Sequence, residues 1–326
     1  MVTVVILNWN GGVYIGDCLK NIFKQDYSGY SVVTVDNGSS DGSLELVRNA
    51  FPQVEAIALH KNLGFARGNN IAIRSTSTKY VALLNNDAMP DAKWLSYLVD
   101  ALENHPEAGL AASKMLFYHK PDQIDRAGDV YTTAGTALLR GRKERSNTYN
   151  EKEYVFGACA GAALYRTEML KNIGLFDEDF FLLYEDVDLS FRAQLMGYKC
   201  IYVPDAVVYH VGSGSIGDDT PTSVYYSHRN LEWVYIKNMP DSLIKKTIVS
   251  HLVYVLAALI FFAAKGRGGV YLKAKLDALK GIRNVLKKRR EIQKNKKVLD
   301  EHIWNLLEKE KLIPRLTRRL RLNRSS

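Results

Sequence analysis

The sequence predicts an α/β fold, a Rossmann-like, mostly parallel sheet flanked by helices, followed by a helical, basic C-terminal extension. Over the first hundred residues, short apolar runs alternate with segments of helical spacing. Polar loops, several bearing glycine, follow the apolar runs, and beyond residue 237 the pattern turns apolar and then basic. Repeated strand–loop–helix units give parallel sheets that bind ligands at the carboxyl ends of their strands.

Residues 2–7 (VTVVIL) are rich in β-branched side chains, which suits a buried first strand. The run is too short to cross a bilayer and has no basic flank, so it does not read as a secretory signal. A helix is expected over 15–24, where Ile15, Leu19, Ile22 and Phe23 share one face. Strands follow at 31–35, 56–59 and 80–84, with helices at 44–50, 65–74 and 94–103. Between 110 and 208, shorter strands surround a helix near 187–196, and the apolar strand 201–209 ends at His210. The run Gly212-Ser213-Gly214-Ser215, with Gly217, predicts a mobile lid. A helix over 225–237 closes a catalytic domain at 1–237, leaving 238–326 as a membrane-association or dimerisation region.

The chain has 326 residues, 47% of them hydrophobic, enough for a sizeable core. Three scattered cysteines without a C-x-x-C pair argue against a disulfide framework or a thiolate zinc site and suit a reducing cytoplasm. Net charge is +9, but residues 265–326 hold 20 Lys and Arg against 6 Asp and Glu, a local +14 that leaves −5 for the rest. Such a tail implies an anionic partner. Because an apolar run, 248–264, precedes the basic helices, a membrane surface fits better than nucleic acid. A single span would place either the body or the basic tail outside, and the latter opposes the positive-inside bias. An in-plane helix, a re-entrant segment or a buried dimer helix fits better, and burial in the protein's own core stays open.

Candidate chemistry gathers in the loops. Asp36 ends the second strand, where a carboxylate can accept from a base N–H or a ribose hydroxyl; Ser and Asp residues after it can cap the next helix. After the third strand, Asn62, Gly64, Arg67 and Asn69 offer close backbone approach and donors for a ribose or diphosphate. The fourth strand runs into Asn85-Asn86-Asp87, a hard oxygen ligand placed for Mg2+ or Mn2+ on a diphosphate. Six carboxylates crowd the apolar block 174–192, where burial demands that they be paired or used. Asp188 and Arg192 form an i,i+4 pair, whereas Glu185-Asp186 at the helix start can present a general base. His210 falls on the same sheet edge as Asp87 and is a candidate metal ligand.

In this order, VVILNWNG, VDNGSSDGS, NLGFARGNN, LLNND, GLFDEDFFLLYEDVDLSFR and the loop after His210 resemble the family 2 glycosyltransferases, of GT-A fold, in their rhamnosyltransferase-like branch. The resemblance covers residues 1 to about 235. It implies that Asp36 contacts a pyrimidine base, that Asn8 and Asn10 line the nucleotide pocket, and that Asn85-Asn86-Asp87 stands where the family has D-x-D. Asp87 and His210 would then meet the metal, Asn85 and Asn86 would support the donor, and Gly161 would leave room for its sugar. Asp186 matches the catalytic base, with Glu185 assisting. Arg229 and Asn230 are placed to reach donor or acceptor phosphates. The implied partners are a nucleotide diphosphate sugar, with dTDP-rhamnose foremost and UDP-hexoses or UDP-galactofuranose open, and a lipid-linked or polysaccharide glycan at the inner membrane face. A homodimer is also compatible. A nucleotidyltransferase would carry a basic glycine-rich loop after the first strand; Asn8-Trp9-Asn10-Gly11-Gly12 is not one.

Overall fold

A computed structural model of the chain describes residues 1–212 and 220–309. The expected lid, apart from Gly212, and the last basic residues lie outside these ranges.

The first half is built as β1 (Val2–Asn8), α1 (Ile15–Ile22), β2 (Tyr30–Asp36), α2 (Ser43–Ala50), β3 (Glu55–Ala58), α3 (Phe65–Ser75), β4 (Tyr80–Asn85), β5 (Ala88–Pro90) and α4 (Trp94–Asn104). It continues through β6 (Ala108–Phe117), β7 (Lys120–Ala127), β8 (Asp129–Tyr131), β9 (Ala137–Leu139), β10 (Glu153–Val155), β11 (Ala162–Arg166), α5 (Thr167–Ile173), a 3-10 turn (Glu178–Phe180), α6 (Glu185–Leu195) and β12 (Lys199–His210). Helices α7 (Pro221–Asn238), α8 (Asp241–Ala264), α9 (Gly268–Lys280), α10 (Ile282–Asn295) and α11 (Asp300–Leu306) complete the described chain. Helix α7 begins four residues before its expected start because Thr220 caps it, its hydroxyl accepting from Ser223 N, and Pro221 fits the first turn.

The main sheet runs β10-β12-β6-β11-β4-β1-β2-β3, with β5 added to β12 and β7 to β6. Strands β3, β2, β1 and β4 are parallel. Strand β11 is antiparallel to both β4 and β6, and β12 is parallel to β6. Two reversals restore direction, so the carboxyl end of β12 lies on the same edge as that of β4. Register sets Asn8 opposite Asp36 and Leu7 opposite Asn85, which aligns the polar tips of three strands. Alternation along β1 sends Val2, Val4 and Ile6 into the core on one sheet face and Val5 into the core on the other.

The C-terminal helices pack on the body. Phe180, Val187 and Phe191 share an apolar cluster with Trp233 of α7, Ala278 of α9, Val285 of α10 and Ile303 of α11. At the end of the described chain Ile303 and Leu307 are buried and Leu306 is partly so, whereas Leu299 precedes α11 and is exposed.

Candidate active site

The first two strand tips are laced together through Asn8. Its amide donates to Asp36 Oδ1 at 3.0 Å and Ser43 Oγ at 2.7 Å, and its carbonyl oxygen accepts from Asn86 Nδ2 at 2.9 Å. Asp36 Oδ2 accepts from Ser39 N at 3.0 Å. Each Asp36 oxygen thus keeps a lone pair for a ligand. Asn10, exposed and at φ 51°, accepts from Ser40 N at 2.9 Å. The cap of α2 is Gly42, while Asp41 Oδ1 in the preceding turn accepts from Ser43 N.

The loop after β3 is held by Asn37, which lies inside VDNGSSDGS but carries no signal there that sets it apart from its polar neighbours. Its amide donates to Asn62 Oδ1 at 3.0 Å, and its Oδ1 accepts from Leu63 N at 2.8 Å. Gly64 stands at φ +85°, where a Cβ would come 2.5 Å from Phe181. Arg67 is half exposed, 3.5 Å from Glu178. Asn69 differs from expectation: it is buried, and its amide closes on Phe65 O within α3, so the helix rather than a donor uses it. Asn70 likewise binds Phe176 O.

Asp87 and His210 converge. His210 Nε2 lies 3.3 Å from Asp87 Oδ1 and 3.4 Å from Asn85 Nδ2, while Nδ1 lies 2.8 Å from Asp125 Oδ2. Burial works to lower the pKa of the imidazole, but hydrogen bonds to Asp125 and Asp87, and their charge, raise it to about 9. Asp125 is itself paired with Arg142. Strand β7, which carries Asp125, gave no sequence signal, because pairing with His210 arises only across the sheet. No cluster of three His, Cys, Asp or Glu able to hold a metal occurs among the described residues. One carboxylate and one imidazole at a strand edge fit a divalent ion whose remaining positions go to phosphate oxygens and water.

Asp186 opens α6 after a loop with positive φ at Phe181, Leu183 and Tyr184. Its Oδ1 accepts from Val187 N at 2.8 Å, its Oδ2 from Ala160 N at 3.3 Å, and Arg126 Nη1 stands 3.7 Å from Oδ2. Arg126 also approaches Asp129 at 3.3 Å. Ala160 leads into Gly161, where a Cβ would sit 2.9 Å from Asn85 Nδ2. Asp186, Gly161 and the edge formed by Asp87 and His210 are therefore joined through Ala160 and Asn85. Glu185 is different. Burial, and then the neighbouring Asp186, push its carboxyl well above the ordinary range, and Oε2 finds no donor among the described residues.

The rest of the acidic block is structural. Asp177 meets Lys237 and Lys288, Asp179 meets Lys288, and Asp188 meets Arg192 and Lys237. Arg229 is engaged too: Nη2 donates to the carbonyls of Asp179 and Phe180 and Nε to Asn230 Oδ1, while Asn230 Nδ2 donates to Phe180, Leu182 and Leu183 O. Both residues thus brace the loop before Asp186. A cavity of about 280 Å³, lined by residues including Phe117, Arg142 and Gly212, adjoins the His210 edge. A larger one of about 450 Å³, lined by residues including Lys93 and Asp205, has none of these groups in its lining.

The family model Glycosyl transferase family 2 matches residues 3–174. The N-acetylglucosaminyl-diphospho-decaprenol L-rhamnosyltransferase of Mycobacterium tuberculosis is 26% identical over 267 residues, 72% of this chain and 83% of that one. Mannosyltransferase PcManGT from Pyrobaculum calidifontis, in complex with GDP-Man and Mn2+, aligns at TM-score 0.55 and 19% identity over 89% of this chain and 84% of its own. TarS 1–349 of Staphylococcus aureus, in complex with UDP, aligns at TM-score 0.54 and 19% identity over 90% and 87%. Both structures share the GT-A fold with this chain.

Proposed function

The chain belongs to glycosyl transferase family 2 and is a glycosyltransferase; from that premise we propose that it transfers rhamnose from dTDP-rhamnose to a hydroxyl of a polyprenyl-diphosphate-linked glycan, with inversion. The observation that carries the reaction type is Asp186, held by Val187 N and Ala160 N one residue from Gly161, on the floor it shares with Asn85. The likeness to the mycobacterial rhamnosyltransferase supports the choice of sugar and acceptor.

Asp36 and Asn8 hold the nucleoside end of the donor. Gly161 admits the sugar because no side chain fills the space beside Asn85. Asp186 takes the proton of the acceptor hydroxyl as that oxygen bonds to the anomeric carbon and the bond to the diphosphate breaks. Arg126 keeps a positive charge behind Asp186 and fixes its carboxylate. Asp87 and His210 would hold Mg2+ or Mn2+, which supplies charge neutralisation at the diphosphate. The three unpaired cysteines support a cytoplasmic setting.

A donor screen tests this reading. Purified chain with Mn2+ or Mg2+ and a lipid-linked acceptor should release dTDP from dTDP-rhamnose, and EDTA should stop it. Release from a UDP-sugar alone would replace the donor assignment; retention of the anomeric configuration in the product would overturn the single displacement.

A further inference from the structure

Helix α8 has two unlike sides. Its inner side is fastened to the body by polar groups: His251 stacks on Tyr235 at 3.9 Å between ring centroids, with Nε2 3.0 Å from Glu232 Oε2 and Nδ1 2.9 Å from Ala134 O. Thr247 Oγ1 and Tyr235 OH are 2.9 Å apart. The outer side is apolar and bare. Val249, Leu252, Leu256 and Ile260 recur at helical spacing and are 57–70% exposed, and α9 adds Leu276 and Leu279 at 59% and 63%. Only 22% of the most apolar stretch of α8 is buried. The alternative of a helix covered by the protein's own core does not hold for this side. A contiguous apolar face on this scale marks an interaction surface.

Two arguments select its occupant. A helix crossing a bilayer would carry His251 and Thr247 away from Glu232, Tyr235 and Ala134 into hydrocarbon, where unpaired polar groups are costly. A second copy is disfavoured by charge. Between Lys245 and Arg290 the chain has 12 Lys and Arg and a single acid, Asp277. Lys275, Lys288 and Arg289 turn inward to Glu232, Asp177 and Asp241, but Lys245, Lys246, Arg283, Lys287 and Arg290 are exposed. Lys245 stands four residues before Val249 on the same side of α8, so two copies joined there would bring cations together, whereas anionic headgroups complement them. We infer that the outer face of α8 and α9 seats in the headgroup layer of an anionic membrane, with α8 lying in the membrane plane.

This goes beyond sugar transfer and is read without any donor. The purified full chain is floated with vesicles of phosphatidylcholine alone and of phosphatidylcholine mixed with phosphatidylglycerol. The chain should partition to the mixed vesicles, less so as salt rises, and Leu256→Glu with Ile260→Glu should weaken partition roughly tenfold or more at an unchanged unfolding temperature. A fluorophore placed through Val249→Cys or Ile260→Cys, about 16 Å apart along the helix, should be quenched to equal depth by lipid-borne quenchers. The native thiols are buried or half-buried, so the introduced one labels first. A depth difference on the scale of that spacing would overturn the in-plane placement. No partition, whether the chain is a monomer or a dimer that the double variant dissolves, would overturn the lipid assignment.

Discussion

Asp125 Oδ2 and His210 Nδ1 lie 2.8 Å apart, and the opposite ring nitrogen of His210 faces Asp87 at 3.3 Å. A carboxylate on one imidazole nitrogen fixes the ring so that the other is presented in a set direction. Asp125 belongs to β7 and His210 to β12, with β6 paired to each of them. Asp125→Ala should therefore leave the fold intact yet weaken Mn2+ binding, in the presence of nucleoside diphosphate, by roughly 10–100-fold. Calorimetry of Mn2+ binding checks this, and an Asp125→Ala, His210→Ala double variant should lose little more than His210→Ala alone.

Asp186→Asn removes the proton acceptor and keeps the shape. Transfer should fall by roughly 10²–10⁴-fold while the affinity for donor nucleotide changes little. Glu185→Gln, which replaces a carboxyl whose pKa is raised by burial and by Asp186, should cost far less; single-turnover rates of the two variants separate the roles.

Gly161→Ala places a methyl group 2.9 Å from Asn85 Nδ2 and 3.3 Å from Cys159 Sγ. The variant should fold, since Gly161 needs no positive φ, but nucleotide sugar should bind more weakly than nucleoside diphosphate alone. Equal losses for both ligands would remove Gly161 from the sugar site.

Glu232 ties α7 to α8 and α9 through His251 and Lys275. Burial works to raise its pKa, but the hydrogen bond from His251 and the charge of Lys275 bring it to about 2. A carboxyl lowered on folding stabilises the protein above its unfolded pKa and loses that contribution as pH falls through the folded value. Stability should therefore decline between about pH 4.5 and about pH 2 from this group, by at most about 3 kcal/mol. Thermal melts across that range should show a smaller acid loss in Glu232→Gln.

Asp188 is wholly buried and shared by Arg192, Lys237 and Asn238. Asp188→Ala leaves two buried cations short of an anion and should destabilise the chain by about 3–5 kcal/mol, visible as a lowered denaturant midpoint. Its i,i+4 pairing with Arg192 was legible from spacing; Lys237, 49 residues downstream, was not.

The sequence by itself determined the strands and helices of the first hundred residues, because periodicity and turn chemistry are local properties. It also placed Asp36, Asp87 and Asp186 at element ends; His210 shares the edge with Asp87, as expected, but through two reversals at β11 rather than through an all-parallel sheet. What only the tertiary structure decided was which polar groups are left for ligands. Asn69, Arg229 and four of the six clustered carboxylates were read as candidates or as an unexplained surplus, yet each satisfies a partner brought near by packing. Asp125 and Arg126 carry no motif that spacing alone assigns, Asn37 is one polar residue among several in VDNGSSDGS, and the use of all three comes from neighbours supplied by other strands and loops. A buried polar group must find its partner in three dimensions, and that partner's position is written in the fold rather than in the neighbouring residues.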